Sequence, residues 1–207
     1  VMEDEAREDM EKMAAMLPSE HPYMRSTPVE IWKNRIPWLL LLMVSATLTG
    51  IVITRFENSL AALPCLTAFL PMLMDTGGNS GSQACVSIIR GISLNEIEFR
   101  DLGRVVWKEI RVSVLCGVCL AIACFAKIIV VDMLLLKSES VTYLVAFVVC
   151  ATMAVTVCLA KIVGSTLPLL AKKLGFDPAV MASPIITTIV DFLSLLVYFA
   201  FATAMLG

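Results

Sequence analysis

The residue that points most directly to chemistry is Asp191, a carboxylate within a long apolar run near the end of the chain. A carboxylate surrounded by hydrocarbon must be protonated, paired with a base, or turned toward water and a cation. No lysine or arginine lies within a helical turn of it, and no other predicted membrane span offers a central base. We therefore favour a cation over a buried neutral carboxyl. At helical spacing Asp191 shares a stripe with four other polar residues, Ser183, Thr187, Ser194 and Tyr198.

A second polar segment, residues 75–83, interrupts another apolar run with the sequence DTGGNSGSQ. Such a segment is tolerable in a membrane only when it is buried in protein or lines an aqueous path, where its backbone can also unwind. The spacing of Gly77 and Gly81 permits close helix packing. Close packing alone would not require the carboxylate of Asp75 or the amides of Asn79 and Gln83. One helical face carries the residues that we expect to line the path, Asp75, Asn79 and Ser82. The other face is expected to hydrogen-bond to neighbouring spans, through Thr76, Ser80, Gln83 and Ser87.

The composition assigns these segments to a membrane protein. The 207 residues are 58% hydrophobic and 16% charged, with a mean hydropathy of +0.86, which is more apolar surface than a soluble domain of this size can bury. We predict an all-α integral membrane domain over residues 31–207, preceded by a cytosolic arm over residues 1–30. Spanning about 30 Å of hydrocarbon takes about 20 helical residues. The candidate spans are residues 36–53, 59–89, 105–131, 141–163 and 182–206.

Basic residues set the expected orientation. Arginines and lysines cluster between the second and third spans, and Lys172 and Lys173 lie between the fourth and fifth. The positive-inside rule therefore predicts a multi-pass plasma-membrane protein with a cytoplasmic N-terminus and an external C-terminus. Lys127 and Lys161 are expected near span ends, where their side chains can reach the headgroups. The arm is expected to form an amphipathic helix over residues 3–17, as a linker or as a membrane-surface anchor.

Charge and histidine content argue against other classes of function. The formal net charge of −2 gives no reason to expect nucleic-acid binding, and the single histidine, His21, lies in the polar arm. A histidine-based catalytic or zinc site inside the membrane is therefore not expected, and we predict that the chain is not an enzyme. The alternatives to a cation pore are a proton-coupled secondary transporter and a non-transporting membrane scaffold, with an intramembrane aspartyl protease as a weaker enzyme reading.

Three motifs resemble the transmembrane domain of the MgtE family of magnesium channels or transporters: residues 32–38 (WKNRIPW), 71–83 (PMLMDTGGNSGSQ) and 184–191 (PIITTIVD). The resemblance implies a homodimer with five spans per subunit and a pore on the twofold axis, lined by the second and fifth spans. Asp191 matches the family's central aspartate, which recognises hydrated magnesium. This sequence departs from the family pattern at three positions. Ser183 and Ser82 stand where the family often has asparagine, and Asp75 stands where the family can have glycine.

The resemblance also implies cytosolic magnesium-sensing and CBS domains of the same polypeptide, with the arm as the end of the linker that joins them to the pore. A first residue of Val1 fits that expectation of a fragment. The expected function is transport of a divalent cation, with Mg²⁺ as the ion and Mn²⁺, Co²⁺ or Ca²⁺ as alternatives, in a homodimer embedded in the lipid bilayer. The expected metal residues are Asp191, Asp75 and Thr187. The expected pore-lining residues are Gly77, Gly78, Asn79, Ser82, Ser183, Pro184, Thr188 and Ser194.

Overall fold

The computed structural model describes residues 2–19, 21–57, 61 and 63–206, and the side chains of residues 2–6 and 183 lie outside this description. Every regular element in the described part is helical. The α-helices are α1 (Met2–Met13), α2 (Pro28–Arg55), α3 (Leu70–Ser93), α4 (Leu102–Lys127), α5 (Tyr143–Lys173) and α6 (Ser183–Leu206). Short 3₁₀ turns cover Pro64–Phe69, Phe99–Asp101 and Pro178–Met181, and α4 continues as a π-helical segment, Ile128–Leu135.

Among the described residues, four helices are long and apolar enough to cross a membrane: Pro28–Arg55, Phe99–Leu135, Tyr143–Lys173 and Pro178–Leu206. This confirms the prediction of an all-α membrane domain. Helix α3 has 24 residues, which gives it a length of about 36 Å. It is therefore long enough to cross, but its polar residues 75–83 make it less apolar than the other four helices.

The helix ends differ from the predicted span ends. Helix α2 begins at Pro28 rather than at residue 36, because Thr27 and Glu30 form a capping box in which each side chain accepts the other's backbone N–H. Helix α5 continues to Lys173 rather than ending near residue 163. The predicted second span began at residue 59, which lies outside the described residues, and α3 itself begins at Leu70 after a 3₁₀ turn.

Helix α5 lies at the centre of the packing, against α3, α4 and α6, whereas α2 lies at the periphery and contacts mainly α6. The main buried cluster includes Phe69, Leu73, Val149 and Phe199. Tyr198 of α6 is also fully buried, and its hydroxyl donates a 3.1 Å hydrogen bond to the carbonyl oxygen of Leu66. This bond joins the second half of α6 to the 3₁₀ turn that precedes α3.

Glycines allow α3 to pass very close to its neighbours. The backbone carbonyl of Gly81 lies where a Cβ on Gly164 of α5 would be, and a Cβ on Gly81 would lie 2.8 Å from Cγ2 of Ile186. A Cβ on Gly77 would lie 2.7 Å from Cγ2 of Thr156. The prediction of close packing at Gly77 and Gly81 is confirmed. The alternative of an unwound backbone is wrong, because α3 is helical from Leu70 to Ser93.

The arm forms a shorter helix than the sequence pattern predicts. Helix α1 ends at Met13 rather than at residue 17, and Ala15 takes a left-handed conformation with φ of 53°. After this turn the chain runs back along α2, where the N–H of Leu17 donates to the carbonyl oxygen of Asn34 at 2.9 Å. Met13 packs against the buried cluster formed by α3, α5 and α6. The arm is thus attached to the membrane helices.

Two lysines expected to reach the headgroups are placed differently. Lys161 lies well inside α5 with only 4% of its surface exposed, so the prediction that it reaches a headgroup is wrong. The ammonium of Lys127 lies 2.8 Å from Oδ2 of Asp132, a buried carboxylate in the π-helical segment that the sequence analysis did not single out. A charged group in an apolar segment needs such a partner. The π-helical segment that follows α4 brings the two groups together.

Candidate functional site

A cavity of about 570 Å³ lies between α3 and α6, and its wall combines the two polar segments. Helix α3 contributes Asp75, Gly78 and Asn79, and helix α6 contributes Thr187 and Asp191. The remainder of the wall is mostly apolar and comes from the end of α2, the 3₁₀ turn and the start of α3, through Ile53, Thr67, Leu70, Pro71 and Met74. Both predicted carboxylates therefore face one space, although 116 positions separate them in the chain.

The absence of a side chain at Gly78 brings the two helices together at this cavity. A Cβ on Gly78 would lie 3.0 Å from Cγ2 of Thr187, closer than most side-chain contacts. A larger residue at this position would push α6 away from α3 and would displace Thr187 from the wall. Gly78 therefore positions the polar residues of α6 and leaves a section of bare helix backbone beside them.

The threonine hydroxyls at the start of α6 are committed to their own helix. Oγ1 of Thr187 and Oγ1 of Thr188 each donate a 3.0 Å hydrogen bond to the carbonyl oxygen of Pro184. A hydroxyl has one hydrogen and two lone pairs, so these oxygens can still accept hydrogen bonds. Thr187, which lies in the cavity wall, thus offers the cavity an acceptor. Acceptors are what the water molecules around a bound cation require.

The electrostatics of the cavity also favour a cation. Asp75 is exposed and Asp191 is partly buried, and the two carboxylates are close enough to interact electrostatically. Within the described part of the chain, no lysine, arginine or histidine nitrogen lies within 4 Å of either carboxylate. Two negative charges that share one partly dehydrated cavity repel each other, and a cation between them removes that repulsion.

Not every residue expected along the path lies in this wall. Gly77 and Ser194 are buried in the packing of α3 against α5 and α6, and Oγ of Ser194 donates to the carbonyl oxygen of Val190 at 2.6 Å. Ser82 is partly buried, one turn beyond Asn79. The Ser183 side chain lies outside the described residues. Along the polar stripe of α6, Thr187 and Asp191 therefore line the cavity, whereas Ser194 and Tyr198 are buried in the helix packing.

Part of the wall lies outside the polar patterns that the sequence shows. Thr67 and Ile53 reach the cavity because the 3₁₀ turn folds back beside the end of α2. Neither residue belongs to a polar pattern, so the sequence contains no signal for them. In contrast, Pro71 lies one helical turn before Asp75, and Met74 directly precedes Asp75. Extending the Asp75 face by one turn would have found Pro71.

Before α6, outside the apolar segments, an ion pair joins the arm to the start of the 3₁₀ turn Pro178–Met181. The ammonium of Lys12 lies 2.7 Å from Oδ2 of Asp177, and the N–H of Ala179 donates to Oδ1 at 2.9 Å. Partial burial raises the pKa of Asp177, but the hydrogen bonds from Lys12 and Ala179 outweigh it and hold that pKa below its usual range. Hydrogen bonds to Asp177 and Glu8 raise the pKa of Lys12.

Comparison with known proteins adds an independent observation. A sequence model of a family described as "MgtE: Divalent cation transporter" matches residues 70–201, which include α3 and all residues of the cavity that α3 and α6 contribute. The chain belongs to the MgtE family. Its members are transporters rather than enzymes, so membership confirms both the resemblance seen in the motifs and the prediction that the chain is not an enzyme.

Individual relatives agree with this assignment. The chain is 33% identical over 206 residues to "Magnesium transporter MgtE" of Thermus thermophilus, covering 100% of the chain and 44% of that protein. It is 34% identical over 200 residues to the protein of the same name from Bacillus subtilis, covering 97% of the chain and 42% of the relative. A third, from Enterococcus faecalis, is 29% identical over 203 residues. The chain thus spans less than half the length of these MgtE relatives.

Proposed function

We propose that this chain forms the membrane pathway of a magnesium transporter, and that Asp191 and Asp75 recognise the hydrated ion. The observation that carries the proposal is the pair of carboxylates from α3 and α6 in one cavity, without a cationic partner among the described residues. Membership of the MgtE family supports divalent-cation transport as the class of function. In this proposal all of α2–α6 cross the membrane, including the more polar α3.

The chemistry of Mg²⁺ fits a wall of acceptors. Mg²⁺ prefers six oxygen ligands in an octahedron and loses its water reluctantly. Within the described part of the chain no cluster of three or more histidine, cysteine or acidic residues is placed to enclose a metal ion. Two carboxylates and the hydroxyl oxygen of Thr187 instead suit a hydrated ion, whose water molecules donate hydrogen bonds to them. Binding through water is also weak enough for the ion to leave.

A second copy of the chain is expected to complete the path. Asp75 and Asn79 are exposed on the single chain, and polar side chains exposed on a membrane helix require a partner or water. A twofold axis beside α3 and α6 would bring two copies of Asp191 together, and their charge of −2 would match one divalent ion. Gly78, Asn79, Thr187 and Thr188 then border the path, while Ser82, Ser183 and Pro184 would lie toward its cytoplasmic mouth.

The remaining assignments follow from charge and from the length of the relatives. We place the N-terminus in the cytoplasm and the C-terminus outside the plasma membrane. The reason is that the basic residues cluster in the loops after α3 and after α5, which lie on the same side of the membrane as the N-terminus. The arm would then be the end of a linker from cytosolic magnesium-sensing and CBS domains. Relatives more than twice as long leave room for such domains.

Uptake of Mg²⁺ into proteoliposomes tests the proposal. The Asp191→Asn variant keeps the size of the side chain but removes its charge. At about 5 Å from a divalent ion, loss of one charge costs about 1.7 kcal/mol even at the dielectric constant of water. We therefore expect uptake at low Mg²⁺ concentration to fall by at least about 15-fold. Glu139→Gln, in an exposed turn that does not line the cavity, is the matched control and should transport normally.

The same vesicles separate the competing readings. Uptake by Asp191→Asn within about threefold of the unsubstituted chain would disprove the assignment of Asp191 as the ion-binding carboxylate. Uptake that follows an imposed pH gradient, without a magnesium gradient, would show a proton-coupled transporter instead of a passive path. If the unsubstituted chain forms dimers but no divalent ion crosses, the scaffold reading would replace transport.

A further inference from the structure

A cavity of about 550 Å³ lies between the end of α3 and the start of α4, beside the turn that connects them. It shares no residue with the cavity that contains Asp75 and Asp191. Its wall combines apolar side chains with three basic and three acidic ones: Arg90, Arg104, Lys108, Glu96, Asp101 and Glu109. The wall therefore has no net charge, so it favours neither an anion nor a cation.

Most charges of this wall do not neutralise one another. Asp101 and Arg104 form a loose pair, with Oδ1 of Asp101 3.7 Å from Nη1 of Arg104, and Oδ2 of Asp101 accepts the backbone N–H of Glu98 at 3.2 Å. Four charged side chains of the wall form no ion pair within 4 Å among the residues that the structure describes: Arg90, Lys108, Glu96 and Glu109. Two cations and two carboxylates are thus available to a ligand in one cavity.

The charges just outside the wall leave this balance nearly unchanged. Nε of Arg100 lies 3.0 Å from Oε2 of Glu98, so these two residues neutralise each other. The ammonium of Lys173 lies 4.0 Å from the centre of the Phe99 ring. Arg111 is exposed and does not line the cavity, so water and salt screen its charge from the ligand.

The cavity lies where hydrocarbon gives way to lipid headgroups. On α3, Arg90 is the first charged residue after the uncharged residues 76–89, and on α4 the residues 112–126 are likewise uncharged. Trp107 of α4 is 60% exposed, as is typical of aromatic residues at the membrane interface. Leu115, two turns further along α4, is exposed as well. A lipid whose headgroup occupies the cavity can therefore extend its acyl chains along α4.

We propose that this cavity binds the headgroup of a zwitterionic phospholipid with a primary ammonium, the chemistry of phosphatidylethanolamine. Lys108 and Arg90 bind the phosphate through charge-assisted hydrogen bonds, and Glu109 and Glu96 accept hydrogen bonds from the ammonium. An ionised carboxylate can only accept hydrogen bonds, and the quaternary ammonium of phosphatidylcholine has no N–H to donate. An anionic lipid would leave both carboxylates without a donor.

The other properties of the wall agree with this ligand. Basic pockets beside membrane helices bind the phosphate of lipid headgroups. Within the described residues, no three acidic, histidine or cysteine side chains are placed to hold a metal ion, so the carboxylates of this wall do not form a metal site. The inference depends on α3 and α4 lying in the membrane, but it does not depend on which ion is transported.

Native mass spectrometry of the whole purified chain in a non-ionic detergent tests the site. The probes are the dioleoyl forms of phosphatidylethanolamine, phosphatidylcholine and phosphatidylglycerol, which share their acyl chains and differ in the headgroup. We expect one phosphatidylethanolamine molecule per chain to be retained. Phosphatidylcholine and phosphatidylglycerol should bind about tenfold more weakly, the effect of losing a charge-assisted hydrogen bond.

Two variants separate the two halves of the headgroup. Glu109→Gln should remove the preference for phosphatidylethanolamine and leave the retention of phosphatidylcholine unchanged. Lys108→Gln should weaken both lipids alike, because both contain the phosphate, and by only about threefold, because Lys108 is exposed to water. The matched control is Lys33→Gln, an exposed lysine of α2 outside the cavity, which should change the retention of each lipid less than about 1.5-fold.

Four results would overturn the proposal. Retention of phosphatidylcholine equal to that of phosphatidylethanolamine would show that the ammonium is not recognised, and tighter retention of phosphatidylglycerol would identify an anionic lipid instead. A loss in Lys33→Gln equal to that in Lys108→Gln would show general attraction to a charged surface. Binding of O-phosphoethanolamine as tight as that of the lipid would identify a soluble zwitterion. If Glu109→Gln does not elute as a folded protein, Glu96→Gln in the exposed turn replaces it, with the same expected loss of preference.

Discussion

Replacing Gly164 by alanine tests the helix crossing that supports the cavity between α3 and α6. The new Cβ would overlap the backbone carbonyl oxygen of Gly81 and would lie 3.0 Å from its carbonyl carbon. Backbone cannot avoid a methyl group by changing rotamer, so we take the upper part of the overpacking range, about 3 kcal/mol. Alanine returns about 1 kcal/mol through its better helix propensity. The expected net loss of stability is about 2 kcal/mol.

A loss of this size is measurable by thermal unfolding in detergent. For a chain of about 200 residues, 2 kcal/mol corresponds to a decrease in Tm of about 4–8 °C. Gly103→Ala is the matched control, because a Cβ there would have no atom within 4 Å and the residue is also helical. It should leave Tm unchanged or slightly higher. A Gly164→Ala variant as stable as Gly103→Ala would refute the close contact between α3 and α5.

Three further outcomes are expected. Asp75→Asn should weaken Mg²⁺ binding in calorimetry, but less than Asp191→Asn, because Asp75 is more exposed to water; a larger loss at Asp75 would reverse their order of importance. Thr156→Val should increase the free energy of unfolding by about 1 kcal/mol and therefore raise Tm, because Oγ1 of Thr156 is buried without a partner in the described structure. The Lys12–Asp177 pair should hold the arm at neutral pH. It should release as the pH falls below about 4, through the lowered folded-state pKa of Asp177, and as the pH rises above about 10, through the raised pKa of Lys12. Hydrogen exchange of α1 amides, corrected for the intrinsic dependence of exchange on pH, would measure that release. A corrected exchange rate that does not change with pH, or that is unchanged in Asp177→Asn, would contradict it.

The membrane class of this protein and its principal carboxylate follow from local properties of the sequence. Apolar runs and the cost of charge in hydrocarbon act on each segment by itself, so Asp191 and residues 75–83 stand out without any knowledge of packing. Helical spacing also predicts correctly that Asp75 and Asn79 share a face, because that face depends only on the 3.6-residue period of one helix.

Tertiary structure decided which parts of each polar pattern reach the cavity. Helix α6 carries one stripe by spacing, yet Asp191 faces the cavity while Ser194 and Tyr198 are buried, because the helices packed against α6 differ along its length. Helix α3 likewise remains regular through its glycines because α5 and α6 take up the space that side chains would fill. Periodicity is a property of a single helix, whereas the partner of each face is set by the packing of the others, and no local pattern contains that information.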